Sequence, residues 1–277
     1  MAVANVNAAG QRKKGRAVTA DNEQLTEYDD GAGYDLENGT AGPDLQYYLA
    51  LARAVGGPGL DLACGTGFLT IPFAELGLAM TGVDIAPAML DHARIKADTL
   101  PIRWLHADCR TLDLGEQFRL VTLTGNAFQE FRTRADQEGL LGAVRRHLAP
   151  DGVFAFETRF PRVSTLLTAA ALAGGWSEET TWRQYADAQG RPVSVTTAQR
   201  HDALRQTVEY VIYQRWQEDG KEQVKTERTI LRFVYPQEME ALLHHNGLTI
   251  RDAYGDWDRQ PLTADSPRMI YVCQPRV

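Results

Sequence analysis

The chain has 277 residues, which is enough for one large domain or for one domain with a sizeable insertion. Its formal net charge of −7 argues against a nucleic-acid partner, because proteins that bind a phosphate backbone usually carry a basic stripe. Its three cysteines form no CxxC pair, which argues against a disulfide framework or a thiolate zinc site. No apolar run approaches the roughly 20 residues that span a bilayer. We therefore expect a cytoplasmic protein without membrane, metal or nucleic-acid partners.

The first 20 residues predict a disordered tail. Their basic cluster QRKKGR is not followed by the apolar segment of a signal peptide, so we interpret residues 1–20 as solvated. A nucleic-acid-binding arm is the weaker alternative. A helix is then predicted at 44–55, where apolar residues recur at helical spacing before the stop signal Gly56-Gly57-Pro58-Gly59.

From residue 59 onward, short apolar runs alternate with helical stretches. Strands are predicted at 59–63, 79–84, 102–107, 118–125 and 152–157. Helices are predicted between them at 68–76, 86–97 and 134–148. Strands with little alternation of apolar and polar residues, separated by helices, are typical of a parallel sheet covered on both faces. The same pattern returns at the end of the chain, with a helix at 236–245 and strands at 248–254 and 268–274.

Residues 180–235 have a different pattern. Four long segments alternate in polarity and are joined by turn-like residues, of which Asp219-Gly220 is a strong hairpin signal. This pattern predicts an antiparallel sheet with one wet face. The predicted divisions are a tail at 1–20, an α/β domain formed by 21–160 and 236–277, and a β-rich cap at 161–235.

The stretch LDLACGTG at residues 60–67 is an apolar run that ends in two glycines, directly before a predicted helix. Gly65 and Gly67 permit a positive φ and a close approach of a ligand to the backbone. A dinucleotide fingerprint would need a third glycine at position 70, where the chain has Thr70, and the Gly-Lys-Ser/Thr ending of a P-loop is absent. Alone, the glycine pair indicates either a bound ligand or a tight strand–helix turn.

Two acidic residues follow the next two predicted strands. Asp84 ends the second strand, and a carboxylate there can accept both hydroxyls of a ribose. Asp108 follows the third strand, where a carboxylate can accept the exocyclic amine of an adenine. Each acid alone fits a surface turn, but three such signals at successive strand ends favour a ligand with ribose and adenine and without phosphates.

Four stretches, LDLACGTG, TGVDIAPAML, HADCRTLDL and LAPDGVFAFE, resemble the successive motifs of the class I S-adenosylmethionine-dependent methyltransferases. The resemblance runs from about residue 28 to the C-terminus, and within this superfamily it favours the small-molecule branch that includes natural-product and amino-sugar N-methyltransferases. It implies an α/β fold with a Rossmann-like seven-stranded sheet whose last strand is antiparallel, and an inserted antiparallel β cap. The implied cofactor is S-adenosylmethionine, with S-adenosylhomocysteine as the product.

The resemblance also assigns residues to the cofactor. The residues expected along its methionine part are Asp61, Gly65, Gly67 and Thr124. Ala63 is also expected to bind the cofactor. Those expected along the ribose and the adenine are Asp84, Ile85, Met89, Asp108 and Cys109. Tyr28 or Tyr34 resembles an N-terminal tyrosine that closes over the cofactor in several relatives, with an exposed structural tyrosine as the alternative.

The residues that contact the acceptor are harder to find, because methyl transfer from a sulfonium mainly requires alignment and desolvation of the acceptor. After the fourth strand the chain has Gly-Asn-Ala-Phe in place of the Pro-Pro tetrad of amino-methylating nucleic-acid enzymes. Asn126 and Phe128 are expected to face the transferred methyl group, or else to be a helix cap and a core aromatic. Glu157 at the end of the fifth strand is the candidate catalytic group, with a structural hydrogen bond as the alternative.

The remaining candidates lie beside Glu157 and on the cap. Arg159 is expected to pair with Glu157 or to hold an anionic substrate. The cap aromatics are expected either to line a substrate pocket or to form the core of the cap itself; they are Trp182, Tyr185, Tyr210 and Trp216.

We therefore predict a methyltransferase that acts on a nitrogen of a small molecule, ahead of oxygen and then carbon. The alternative is an S-adenosylmethionine-binding protein on the same fold that transfers no methyl group, such as a cyclase or a scaffold. An NAD-dependent oxidoreductase is disfavoured by Thr70 and by Asp108. A small-molecule acceptor is the expected partner, and a homodimer is a possible assembly of the chain.

Overall fold

A computed structural model describes residues 28–39, 41–162 and 175–276, so the predicted tail at 1–20 lies outside the described residues. The helices are α1 (Gly31–Asn38), α2 (Pro43–Val55), α3 (Thr70–Glu75), α4 (Pro87–Ala97), a short 3-10 helix (Ala127–Glu130), α5 (Arg134–His147) and α6 (Pro236–His245). The first strands are β1 (Gly59–Leu62), β2 (Met80–Asp84), β3 (Arg103–His106), β4 (Phe118–Leu123) and β5 (Leu148–Arg159). The later strands are β6 (Thr180–Ala186), β7 (Pro192–Asp202), β8 (Thr207–Glu218), β9 (Lys221–Arg232), β10 (Leu248–Tyr254) and β11 (Arg268–Pro275).

The central sheet has seven strands in the order β10-β11-β5-β4-β1-β2-β3. Strands β1 to β5 are parallel to one another, whereas β11 is antiparallel to both β5 and β10. β1 and β2 are buried along their whole length, as expected for strands covered on both faces. This arrangement confirms the predicted Rossmann-like sheet with an antiparallel last strand.

Helices cover both faces of this sheet. On one face α2 and α3 contribute Tyr48, Leu51 and Phe73 to a buried apolar cluster. On the other face α5 and α6 contribute Leu140 and Met239 to a second cluster. These helices leave the carboxyl ends of β1 to β5 uncovered. In a parallel sheet these ends lie along one edge.

The cap contains a separate antiparallel sheet of four strands in the order β6-β7-β8-β9. β6 packs beside α1 and β9 packs beside the 3-10 helix, so the sheet bridges the same edge of the central sheet. Its buried face carries polar as well as apolar side chains, among them Gln214, Glu227 and Thr229. The predicted cap boundaries at 161–235 stay a prediction. Within the described ranges, no helix combines the length and the apolar character needed to cross a membrane.

Candidate active site

A cavity of about 380 Å³ opens where the carboxyl ends of β1 to β4 meet. All but two of the residues that the sequence assigned to the cofactor line it: Tyr28, Tyr34, Ala63, Gly65, Asp84, Ile85, Met89, Asp108, Cys109 and Thr124. The sequence did not predict the rest of the lining, namely Arg110, Gly125, Ala127, Glu130, Phe131 and Arg132. The fold thus brings together residues from five separate parts of the chain.

The glycine turn is held by the carboxylate of Asp84. The Gly65 amide donates to Oδ2 at 2.7 Å and the Ala86 amide donates to Oδ1 at 2.8 Å. Gly65 has a positive φ of 54°, which a side chain disfavours, and it lies against Met89. Burial raises the pKa of Asp84, although the two backbone hydrogen bonds favour its charged form. Each carboxylate oxygen keeps a lone pair for a ribose hydroxyl.

Asp61 and Gly67 are the two predicted cofactor residues that the cavity lining does not include. Asp61 is buried below the turn, where it accepts hydrogen bonds from the hydroxyls of Thr70 at 2.6 Å and Thr122 at 2.7 Å. A Cβ on Gly67 would lie 2.9 Å from the Trp104 ring, so this glycine allows close packing of the turn. The structure places both residues in support of the turn, and a contact of Asp61 with the methionine amino group stays a prediction.

The buried Asp61 makes the stability of the fold depend on pH, because burial raises the pKa of its carboxyl group from 3.8 to about 6. Because this carboxyl group is harder to ionise in the folded state than in the unfolded state, the free energy of unfolding falls as pH rises from about 4 to 6. The loss is about 1.4 kcal/mol for each unit by which the pKa is raised. We therefore expect Asp61→Asn to unfold at a higher denaturant concentration than the wild type at pH 7.5, and at a similar concentration at pH 4. Urea titrations at both pH values measure this difference. A variant that is equally destabilised at both would show that the hydrogen bonds of Asp61 outweigh its desolvation.

Asp108 lies at the adenine end predicted by the sequence and is held by Arg110. The Arg110 side chain donates to both carboxylate oxygens at 2.7 to 3.0 Å, and its other terminal nitrogen contacts Asp136 at 2.7 Å. The Arg110 hydrogen bond is the main cause that lowers the pKa of Asp108, which therefore stays an acceptor. Arg110 follows Asp108 by two residues in the motif HADCR, which is the signal that could have identified it.

Helix α1 forms one wall of the cavity, and the sequence did not predict it as a helix. Tyr34 on this helix lines the cavity, and the neighbouring Asp35 points to the glycine turn, accepting from the Thr66 hydroxyl at 2.5 Å. The same carboxylate contacts Lys96 at 2.6 Å and His92 at 3.1 Å on α4. The N-terminal tyrosine wall is therefore tied to the turn by a charged cluster.

A polar groove of about 1260 Å³ adjoins the cavity and shares Arg110, Glu130 and Arg132 with it. It runs between the 130–136 segment and the turn that joins β7 to β8. Charged side chains dominate its lining: Arg110, Arg132, Arg200, Arg205, Arg232, Glu130, Asp136, Asp202 and Glu209. Two nitrogens in this lining, Nε2 of His201 and Nε of Arg232, are buried without a hydrogen-bond partner in the described part of the chain.

Glu157, the predicted catalytic group, lines neither space. It is 3% exposed, and its two oxygens accept from the Tyr48 hydroxyl at 2.5 Å and from the Asn126 amide at 3.1 Å. This arrangement fits the alternative of a structural hydrogen bond, and a catalytic role of Glu157 stays a prediction. Glu157 supports the loop after β4, which forms part of the cavity wall.

Phe128 fits the second of its two predicted alternatives. It is fully buried and packs on Phe156 with ring centroids 5.3 Å apart, so it is a core aromatic, and Phe131 lines the cavity instead. Arg159 does not pair with Glu157, as one alternative predicted, but donates to Gln129 at 2.9 Å. Burial raises the pKa of Tyr210 in the cap, and the positive charge of the Arg159 guanidinium opposes this shift.

The cap aromatics differ in their surroundings, and none of the four lines the cavity or the groove. The Tyr185 hydroxyl lies 3.5 Å from the amide oxygen of Gln214 on the buried face of the cap, and Tyr210 is mostly buried on the same sheet. Trp182 is half exposed and stacks on Arg183 at 4.1 Å, so it faces away from a pocket. Nε1 of Trp216 is buried and has no partner among the described residues. Neither Tyr185 nor Tyr210 lines the cavity or the groove.

The described residues contain no group of three or more His, Cys, Asp or Glu side chains that could hold a metal ion. The arrangement is that of a site for an organic ligand. It offers a backbone turn, a carboxylate for vicinal hydroxyls, apolar contacts from Ile85 and Met89, and a second carboxylate farther along the sheet edge.

Comparisons with known proteins agree with this geometry. Residues 60–152 match the family model described as "Methyltransferase domain". An uncharacterized methyltransferase of Synechocystis is 33% identical over 149 residues, which cover 51% of this chain and 68% of that protein. The cypemycin N-terminal methyltransferase of a Streptomyces species is 25% identical over 252 residues, which cover 89% of this chain and 97% of that protein.

Among solved structures, the CcbJ methyltransferase of Streptomyces caelestis is similar with a TM-score of 0.74 at 25% sequence identity. The match covers 92% of this chain and 99% of that one. Other relatives match over a shorter range: the chain spans 40% of the length of a putative methyltransferase of Bacillus subtilis that is 35% identical over 100 residues. Taken with the cavity and the sheet order, these matches show that the chain belongs to the class I S-adenosylmethionine-dependent methyltransferases.

Proposed function

We propose that this methyltransferase transfers a methyl group from S-adenosylmethionine to a nitrogen atom of a small polar molecule. The observation that carries the proposal is the polar groove, which adjoins the cofactor cavity through three shared residues. A methyl acceptor must reach the cavity from an adjoining space, and this groove leads there under the cap. Its many charged groups favour an acceptor that is rich in hydrogen-bonding groups.

The residues of the cavity fit the cofactor. The glycine turn and Asp84 offer backbone and carboxylate contacts for the sugar part, and the buried Met89 offers an apolar contact for the adenine. When bound, the cofactor supplies a methyl group on a sulfonium, which leaves for the nitrogen lone pair while the S–C electrons stay on sulfur and the product ammonium releases its proton to solvent. The protein's part is to align the acceptor and to exclude water.

The choice of nitrogen has two supports. A relative that matches along 97% of its own length is named for methylation at an N-terminus. In addition, the predicted base Glu157 lines neither the cavity nor the groove, and each of its oxygens already accepts a hydrogen bond. An amine needs no base once it is neutral, whereas a hydroxyl acceptor does.

The test is methyl transfer with labelled S-adenosylmethionine and matched acceptors. The panel contains amino sugars, short peptides with free N-termini, and for each the analogue with a hydroxyl in place of the amine. We expect S-adenosylhomocysteine to form with at least one amine and not with its hydroxyl analogue. Tight binding of S-adenosylhomocysteine without turnover on any acceptor would favour a scaffold, and turnover on the hydroxyl analogue would overturn the choice of nitrogen.

A further inference from the structure

The cofactor cavity and the polar groove meet at three residues that line both spaces, Arg110, Glu130 and Arg132, which we call the passage. An acceptor that comes through the groove meets these side chains before it meets a methyl group in the cavity. Among the described residues that line either space, Glu130 is the only carboxylate common to both. The other acidic residues line the cavity alone (Asp84 and Asp108) or the groove alone (Asp136, Asp202 and Glu209).

The fold turns Glu130 toward the cavity. Glu130 is the last residue of the 3-10 helix, in which residues three apart lie on the same side, and Ala127 on that side also lines the cavity. The two residues between them are fully buried: Phe128 packs in the core, and Gln129 accepts from Arg159 at 2.9 Å. These buried contacts fix the helix, so Glu130 stays at the wall that the two spaces share.

The carboxylate of Glu130 is within reach of a ligand. Glu130 is partly exposed, whereas the predicted candidates Glu157 and Asn126 line neither space. Oε1 of Glu130 accepts from the Tyr28 hydroxyl at 3.4 Å, and Tyr28 also lines the cavity. An ionised carboxylate has about four acceptor positions, so it can accept from a ligand and keep this contact.

The charges around the passage favour a cation more than its two arginines alone suggest. Arg110 is bound to Asp108 and to Asp136, each at 2.7 Å, so two carboxylates balance its charge. Together with Glu130, these acids outnumber the guanidinium groups of Arg110 and Arg132. A positive charge that forms on a ligand at this point is therefore stabilised by its surroundings.

Methylation of an amine places such a charge at the passage. As the nitrogen bonds to the methyl carbon, the electrons of the S–C bond stay on sulfur, and the positive charge passes from sulfur to nitrogen. A carboxylate that accepts an N–H of this nitrogen makes a stronger contact in the transition state than in the ground state, because the charge develops there. The same hydrogen bond directs the N–H to the wall, which leaves the lone pair to face the methyl group.

We propose that Glu130 is a catalytic residue that accepts a hydrogen bond from the acceptor amine and stabilises the positive charge on its nitrogen. The proposal rests on the proposed function, since it names the contact made by the amine. It also narrows the acceptor to primary and secondary amines, because a tertiary amine has no N–H to donate. The product ammonium releases its proton to water in the groove, and Glu130 stays ionised.

The experiment compares Glu130→Gln and Glu130→Asp with the wild type at pH 7. With the best amine of the panel, we expect kcat of Glu130→Gln to fall about tenfold or more, because the amide has the shape of the carboxylate without its charge. The affinity for S-adenosylhomocysteine is expected to stay within about twofold of wild type, which shows that the variant is folded. Glu130→Asp keeps the charge and is expected to keep more turnover than Glu130→Gln.

A binding measurement tests the same contact without turnover. Isothermal titration calorimetry with saturating S-adenosylhomocysteine compares that amine, which is mostly an ammonium at pH 7, with its neutral hydroxyl analogue. We expect the wild type to bind the amine about tenfold more tightly than the analogue, and Glu130→Gln to bind the two within about twofold of each other. A residue that only supports the wall would change both affinities alike.

Glu138→Gln is the matched control, because it removes the charge of an exposed glutamate on α5 that pairs with Arg134 and lines neither space. We expect it to keep both kcat and the preference for the amine. If Glu130→Gln matches Glu138→Gln in either measurement, the proposal is wrong, and a product with a quaternary nitrogen, detected by mass spectrometry, would also contradict it. Failure of the wild type to methylate any amine would instead count against the proposed function.

Discussion

Replacing Asp84 by alanine is expected to weaken the binding of S-adenosylhomocysteine by about 2 kcal/mol, or roughly thirtyfold. The side chain is 7% exposed, and it accepts from the Gly65 and Ala86 amides. Its loss removes the acceptor of the partly buried Gly65 amide and of the buried Ala86 amide, releases the glycine turn and removes the expected partner of the ribose hydroxyls. Isothermal titration calorimetry with the purified full-length chain measures the change.

Two further variants show whether the charge and position of Asp84 matter. In Asp84→Asn the amide nitrogen must face either the Gly65 or the Ala86 amide, which sets donor against donor, so we expect a loss close to that of alanine. Asp91→Ala is the control, because Asp91 is exposed and pairs only on the helix surface with Arg94. Unchanged affinity in Asp84→Ala would contradict the ribose assignment.

Most of the cofactor cavity could be predicted from the sequence because its residues follow strands in a regular way. Strands β1, β2 and β4 are short and largely buried, and the polar residue at or after the end of each strand is fixed by the sheet at the same edge. Gly65, Asp84 and Asp108 could thus be found by counting from strand ends. The fold and the family are confirmed, and these particular roles stay predictions.

The residues on the acceptor side could not be predicted in the same way, because their roles depend on where each side chain points. The spacing of residues along the chain does not determine this. Glu157 lies near the end of β5 as Asp84 lies at the end of β2, yet its carboxylate binds the hydroxyl of Tyr48, a residue 109 positions earlier in the chain. Phe128 and Phe131 are both aromatic and three residues apart, and only the 3-10 helix determines that the first enters the core and the second the cavity. A sequence pattern contains no signal for either outcome.

Helix α1 could not be predicted for a related reason. Its sequence GAGYDLEN has two glycines and no apolar stripe, and its only buried residue is Gly31. An eight-residue helix of this kind is not stable alone. It is held by polar contacts with parts of the chain that lie 31 to 177 residues away in sequence: Thr66, His92 and Lys96 on one side, and Arg183 and Gln214 on the other.

Those two sets of contacts make α1 a link between the glycine turn and the cap. Asp35 binds the turn through Thr66, and two residues later Glu37 accepts from Arg183 at 2.6 Å and from Gln214 at 3.1 Å on the cap sheet. Elements that are held by few polar contacts open more readily than a packed core. We expect α1 to open for the cofactor and to close the cavity afterwards with Tyr34.

We therefore expect Asp35→Ala to weaken the binding of S-adenosylhomocysteine about tenfold, or about 1.4 kcal/mol, because Lys96 and the Thr66 hydroxyl lose their partner and α1 no longer holds the cavity wall. Amide hydrogen exchange over residues 31–38 should accelerate in the same variant, while exchange in β1 and β4 stays slow. Glu37→Ala is the matched variant on the other side of the helix, and we expect it to accelerate exchange in β6 with a smaller loss of cofactor affinity. If both variants weaken the binding of S-adenosylhomocysteine equally, α1 responds as a single unit, and Asp35 stabilises the cofactor site no more than Glu37 does. If neither does, the cofactor enters without help from α1, and the wall formed by Tyr34 contributes nothing to binding.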